Sequence, residues 1–290
     1  MKIRVITDSA VDIPIEFIDK YDIGSVRHSV HFDDKSLKLG LGISIKEYYK
    51  KLREMDELPT NSTPTPGDFL NLYKETFEKK EYDHVIYVAL SIKLSGTANV
   101  ARIAAKDYKD KITIIDTESA SGVQGLILLA VIKLLEKNTP IEKIIEKIDE
   151  LKKDYILDVG FFTLENVYKS GRLKSKFVLN LTKFIRIKPI AIMERPGVLV
   201  STLPAFFTNK HMESRLKNIV VKRVKKDTSY DMIISHVENS DGAGRIAKKI
   251  MKKVKINDFY ITDASPIIGT NTGFGTIIVS LVPSLFSKSL

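Results

Sequence analysis

Runs of apolar, β-branched residues alternate along this chain with segments whose apolar positions recur every three or four residues. Several of the runs end in loops rich in hydroxyls. The pattern is sharpest at residues 85–105, VIYVALSIKLSGTANVARIAA. Its first six residues predict a strand buried on both faces, as in a parallel sheet. From Thr97 onward the spacing predicts a helix with Val100, Ile103 and Ala104 on its core side. The loop between them holds Ser91, Ser95, Gly96 and Thr97. In open α/β sheets, ligands lie at the carboxyl ends of strands and over helix N-termini, where hydroxyls and free N–H groups receive an anion. Position alone favours the plainer role, in which Ser95 or Thr97 caps the helix.

The same reading predicts strands at 3–6, 111–116, 158–163, 232–237, 259–262 and 276–282, and a hairpin of 188–193 with 198–203 across Gly197. Residues 26–32 alternate and predict one strand. That strand turns His28 and His31 to opposite faces and argues against a shared metal. Helices are expected from Pro14 to Lys20, at 43–53, after the loop 58–67, at 123–135, at 141–153, at 164–168, and from Gly244 to Lys255. The loop 58–67, LPTNSTPTPG, contains three prolines, which stiffen it around its hydroxyls and amide. Alone it reads as a helix-entry turn, but its polar groups would complement those around Ser95. The β–α–β–α–β order predicts an α/β fold in two domains. Residues 1–155 form a doubly wound parallel sheet, and residues 156–290 form a mixed-sheet α/β domain.

Composition narrows the partners. The 290 residues are 43% hydrophobic and 28% charged, as in soluble globular proteins, and include no cysteine, which excludes disulfides and thiolate metal sites. The ten-residue apolar stretch 126–135 contains Lys133 and is half of what a membrane span needs. The N-terminus lacks a signal-peptide pattern, so a cytoplasmic location is expected. The net charge of +10 allows nucleic acid or transient contact with an anionic membrane surface. However, much of the surplus is lysine on amphipathic helices without interleaved aromatics, so nucleic acid is not the expected partner.

Catalysis requires a nucleophile with a base, or an acid–base pair. The five histidines lie away from the serine loops in sequence, and no Gly-x-Ser-x-Gly elbow, GxGxxG or P-loop is present. The residues therefore favour binding over catalysis. Two alternatives stay open: a small-anion hydrolase or phosphotransferase built on the strand ends at Asp8, Ser95 and Asp116, and a basic nucleic-acid-binding protein.

Seven motifs then occur in order: TDSAVDIP at 7–14, NSTPTPGDF at 61–69, LSIKLSGT at 90–97, IIDTESASGVQG at 114–125, KSGRL at 169–173, KPI at 188–190 and SPIIGTNTGFG at 265–275. Together they resemble the DegV family over nearly the whole chain. The resemblance implies a two-domain α/β protein that carries one long-chain fatty acid in a tunnel between the domains. It also implies that the protein presents the carboxylate to a dihydroxyacetone-kinase-like fatty acid kinase, which makes an acyl phosphate for phospholipid synthesis. It implies lipid transport rather than enzymatic activity, with the fatty acid as ligand and neither metal nor cofactor. The family's serine ligand matches Ser95. Its threonine ligand falls on Asn61, beside Ser62, and an asparagine amide can also donate. A family histidine falls on Asn271 and a family arginine on Phe206, while Arg172 matches the glycine-arginine motif as a head-group or partner contact. The implied carboxylate site is thus Asn61, Ser62, Ser95 and Asn271.

Overall fold

Strands that are apolar on both faces must be covered on both faces, and parallel pairing with helical crossovers achieves this. The computed structural model of the chain describes residues 1–32, 35–39, 44–108, 110–170, 187–206 and 208–286. In it, β1 (Ile3–Asp8), β2 (Gly24–Val26), β6 (His84–Ala89) and β7 (Ile112–Asp116) form a four-stranded parallel sheet in the order β2-β1-β6-β7. One face is covered by α3 (Pro66–Lys74) and α4 (Thr97–Ala104) through Phe69, Tyr73, Ala98 and Ala101. The other is covered by α5 (Ser121–Glu136). Connections leave β1 and β6 in opposite directions across the sheet. The crevice at their carboxyl ends, at Asp8 and Leu90, is therefore a topological switch point.

Three expectations are corrected in this half. Residues 26–32 are not one strand. The chain leaves the parallel sheet at Val26 and re-enters pairing as β3 (Ser29–Phe32) in a three-stranded antiparallel sheet, with Arg27 and His28 at the break. The loop 58–67 also contains a strand, β5 (Thr60–Ser62), paired with β3, whose other neighbour is β4 (Lys35–Lys38). In α4 the buried face is Thr97, Ala98, Ala101 and Ala104, and Ile103 is 55% exposed. Small residues let this helix lie close to the sheet.

The second half is a six-stranded mixed sheet in the order β10-β9-β8-β13-β11-β12. Its strands are β8 (Ile156–Gly160), β9 (Lys188–Glu194), β10 (Val198–Phe206), β11 (Tyr230–His236), β12 (Ile256–Asp263) and β13 (Ile277–Pro283). The hairpin across Gly197 forms as expected. A helix at Asn209–Arg223 is not evident in the sequence pattern because its apolar contrast is weak: Met212, Leu216 and Val220 are buried, but so is Glu213, which binds Arg245. This helix and Ser240–Met251 cover one face. A further short helix, Pro266–Thr272, closes the last motif.

Helix α5 belongs to both sheets. Thirteen of its sixteen residues are buried, and it packs against β1 and β6 on one side and β11 and β13 on the other. Two of its glycines permit this approach. A Cβ on Gly122 would lie 2.7 Å from Ser280 Oγ and 2.9 Å from Ile233 Cγ2, in the second sheet. A Cβ on Gly125 would meet the Asp12 carbonyl oxygen and lie 2.5 Å from Ile13 Cγ2, in the first half. No helix among the described residues is long and apolar enough to cross a membrane.

Gly125→Ala should therefore destabilise the protein. Overpacking against backbone costs about 1–3 kcal/mol, which outweighs the gain in helix propensity. Gly244→Ala, in a helix and with open space around it, should instead stabilise by about 0.5–1 kcal/mol. Urea denaturation of both variants checks the contrast, and equal effects would remove the packing argument.

Candidate functional site

The switch point is held by a buried carboxylate. Asp8 Oδ2 accepts hydrogen bonds from Tyr87 Oη at 3.0 Å, the Leu90 amide at 3.0 Å and Gln124 Nε2 at 3.1 Å, while Oδ1 accepts from the Ala10 amide at 3.0 Å. Four donors satisfy a charge that burial would otherwise make costly. The ends of β1 and β6 and the first turns of α5 are thereby locked together.

Around this anchor runs a line of hydrogen bonds from Ser9 to Ser95. The His28 amide donates to Ser9 Oγ at 2.9 Å, and the same oxygen lies 2.9 Å from His28 Nδ1. His28 Nε2 is 3.2 Å from Thr97 Oγ1, which is 2.8 Å from Ser95 Oγ. The Thr97 amide donates to Ser95 Oγ at 3.3 Å. His28 and Thr97 are buried, whereas Ser95 is partly exposed. Burial holds the His28 imidazole below its ordinary pKa, against the field of Asp8. The expectation that the histidines stand apart from the serine loops is thus corrected. His28 reaches this loop because the strand breaks at Arg27–His28, and a polar Arg-His pair inside an alternating run is the signal that could have revealed it.

A histidine bonded to hydroxyls does not by itself make a nucleophile. Ser9 Oγ already accepts a local amide, Thr97 is fully buried, and Asp8 spends its oxygens on other donors rather than orienting His28. The arrangement can bind and orient, and lacks the third group of a triad. Among the described residues no cluster of three or more His, Asp or Glu suits a metal.

The turn carrying Ser95 is fixed by Ser91, whose carbonyl accepts the Leu94 and Ser95 amides at 3.0 and 3.1 Å. The tip of the second-half hairpin presses on it. A Cβ on Gly197 (φ 91°) would lie 2.7 Å from Ser91 Oγ and 2.7 Å from the Glu118 carbonyl oxygen, and Arg195 pairs with Glu118 at 3.2 Å.

Strand β5 lies on the other flank. Asn61 pairs in register with Val30 and lies on the same side of the sheet, but is exposed where Val30 is buried; Ser62, also exposed, pairs with Ser29, and its Oγ lies 3.0 Å from His31 Nε2 on the opposite face. Val30 is fully buried in an apolar cluster with Leu39, Tyr48, Leu90, Ala264 and Ile267, to which both halves contribute. Ala10 follows Ser9 and Leu90 precedes Ser91, so this cluster and the polar line meet at the same strand ends. Asn271 donates Nδ2 to the Ile267 carbonyl at 2.6 Å, within its own helix. Phe206 ends β10 in register with Lys188, and Arg172 lies outside the described residues. A cleft of about 1210 Å³ between the halves shares Ser9 with the polar line and is also lined by Arg27, Leu39, Tyr49, His236 and Ser265. It meets the polar line at Ser9 and is not lined by Ser95.

The model of the DegV family, described as uncharacterised proteins of that family, matches residues 2–284. The chain belongs to the DegV family. It is 28% identical over 285 residues to a fatty acid-binding protein of Thermotoga maritima, with 96% of each chain covered. The crystal structure of a DegV lipid-binding protein from Thermotoga maritima superposes with a TM-score of 0.88 at 27% identity, covering 99% of this chain and 100% of the other. DegV of Bacillus subtilis, a fatty acid-binding protein, superposes with a TM-score of 0.82 at 26% identity, covering 98% and 100%. The four-stranded parallel sheet with a separate mixed sheet is the fold of these DegV structures.

One further group joins the halves of this DegV chain. Asp12, fully buried, accepts from Ser121 Oγ at the start of α5 and from the Ser265 amide at 2.7 Å in the last motif. Desolvation raises its pKa from 3.8 to about 6, although these hydrogen bonds oppose the rise. Below about pH 4 the carboxyl is protonated whether the chain is folded or not. Between about 4 and 6 the unfolded chain releases the proton while the fold retains it, so stability falls by up to roughly 3 kcal/mol. Asp12→Asn should flatten this part of the profile. Urea denaturation of both proteins from pH 4 to 7 should show the variant gaining on the wild type as pH rises. A constant difference would return Asp12 to an ordinary pKa.

Proposed function

We propose that this chain holds one long-chain fatty acid between its halves and presents the carboxylate to a dihydroxyacetone-kinase-like fatty acid kinase, which converts it to an acyl phosphate. This places the chain in cytoplasmic lipid transport that feeds phospholipid synthesis. The observation that carries the reading is an apolar cluster built from the strand ends of both sheets, whose member Leu90 opens the loop that bears the partly exposed hydroxyl of Ser95. In support, the Thermotoga and Bacillus relatives are fatty acid-binding proteins.

The chemistry fits such a ligand. An acyl chain gains about 0.8 kcal/mol per buried methylene, so roughly fourteen contribute on the order of 11 kcal/mol before the cost of association. A few polar groups at one end then suffice, and they must donate, since an unpaired buried carboxylate is costly. Ser95 stands at the start of α4, where the helix dipole also favours an anion. Asn61 shares the face of Val30 and is the second donor in this reading. Ser62 and Asn271 are further head-group contacts in the proposal, and Arg172 is a head-group or kinase contact.

An organic extract of the purified protein should contain one long-chain fatty acid per chain by mass spectrometry. No fatty acid, together with no uptake of added palmitate or oleate, would end the proposal. A positive extract with no acyl phosphate formed by the kinase and ATP would remove the kinase alone. Ser95→Ala should weaken oleate binding by about 1.5–3 kcal/mol in calorimetric titration of delipidated protein, leaving the fold intact.

Asn61 and Ser95 donate to one carboxylate in this reading, so their losses should couple. In a cycle of Asn61→Ala, Ser95→Ala and the double variant, binding energies should depart from additivity by at least about 0.5 kcal/mol. Asn61→Thr should retain most of the affinity. Strict additivity would mean that Asn61 does not share the ligand.

A further inference from the structure

We infer that His28 is a positioning residue for the fatty acid carboxylate: a carboxylate accepting from Ser95 requires the proton on His28 Nε2. The inference rests on the proposed function above and follows from counting protons. Each hydroxyl in the line Ser9, His28, Thr97, Ser95 has one proton to give. If Ser95 donates to a carboxylate, it cannot also donate to Thr97, 2.8 Å away. Thr97 must then donate to Ser95. Having spent its proton, Thr97 Oγ1 can only accept from His28 Nε2 at 3.2 Å. A neutral imidazole with Nε2 protonated leaves Nδ1 bare, and Ser9 donates to it at 2.9 Å while accepting the His28 amide. Every contact in the line is then satisfied and the donors point towards the ligand. With the proton on Nδ1 alone, the order runs backwards: Thr97 donates to Nε2, Ser95 donates to Thr97, and Ser95 has nothing left for a carboxylate.

The burial of His28 and Thr97 makes this order consequential, because water cannot substitute for a missing partner there. Burial also disfavours the imidazolium form. Ser95 itself is partly exposed, so the outer end of the line is the one a ligand can reach. His28 thus acts through Thr97 and Ser95 without touching the ligand.

The tautomer is read by nitrogen NMR of protein labelled with ¹⁵N-histidine, delipidated and then loaded with oleate. The loaded protein should show His28 Nε2 protonated; a bare Nε2 would overturn the inference. Two variants test the same point by affinity. His28→Gln, which keeps an N–H donor at the reach of Nε2, should bind oleate within about threefold of wild type. His28→Met, which fills the space without donating, should lose about tenfold, the worth of one hydrogen bond. Equal affinity of the methionine variant and wild type would overturn the inference while leaving fatty acid binding standing. A wild-type protein that takes up no oleate would end both.

Discussion

The burial of α5 between two sheets is the constraint from which the rest of this molecule follows. A helix apolar on nearly every side cannot lie on a surface, so both halves must close on it. Gly122 and Gly125 bring one sheet and one loop within contact of its backbone, on opposite sides. The two halves therefore share a single core that includes Val5, Ile86, Leu157, Ile233 and Ile278. Because the strand ends of both sheets surround the start of α5, the loops that follow those strands meet there. The site lies at this junction through packing, before any hydrogen bond is considered.

Polar contacts then set the detail. Asp8 joins the ends of β1 and β6 to Gln124 of α5, and Asp12 joins the start of α5 to the last motif. The two acids of TDSAVDIP thus have different tasks. The first fixes the loops of one sheet to each other, and the second fixes one half to the other. Desolvation raises the pKa of Asp12 to about 6. Between these anchors, the Ser91 carbonyl accepts the Ser95 amide and the hairpin tip at Gly197 packs against Ser91.

Much of this fold was legible because buried strands announce themselves. The runs at β1, β6, β7, β11 and β13 and the hairpin across Gly197 are where apolar pattern and turn chemistry placed them. The failures share a physical cause, which is tertiary contact overriding local pattern. Alternation over 26–32 survives a change of sheet at His28, because the period of two is the same on both sides of the break. Thr60–Ser62 carries little β preference and pairs because β3 offers an open edge. Ile103 stays outside because alanines already fill the contact with the sheet. For the site, the motifs marked Ser95 and Asn61 as candidates. His28 was invisible to them, since its role depends on a loop some seventy residues away. Asn271 was marked by its motif as well, and its amide donates to the Ile267 carbonyl of its own helix.

The adjacent tyrosines of the helix Ile45–Arg53 carry a consequence for how this chain can vary. Both rings are buried: Tyr48 bonds Thr270, and Tyr49 donates to the Ala264 carbonyl at 2.7 Å. The Tyr49 hydroxyl lies where a Cβ on Gly269 would be. Positions 49 and 269, more than two hundred residues apart, therefore form one steric unit. A chain that acquires a side chain at 269 must shrink residue 49 with it, and one that shrinks residue 49 alone opens a void against the second half. The two positions should drift through evolution as a linked pair, and grafts that exchange one half between relatives must carry both partners or neither.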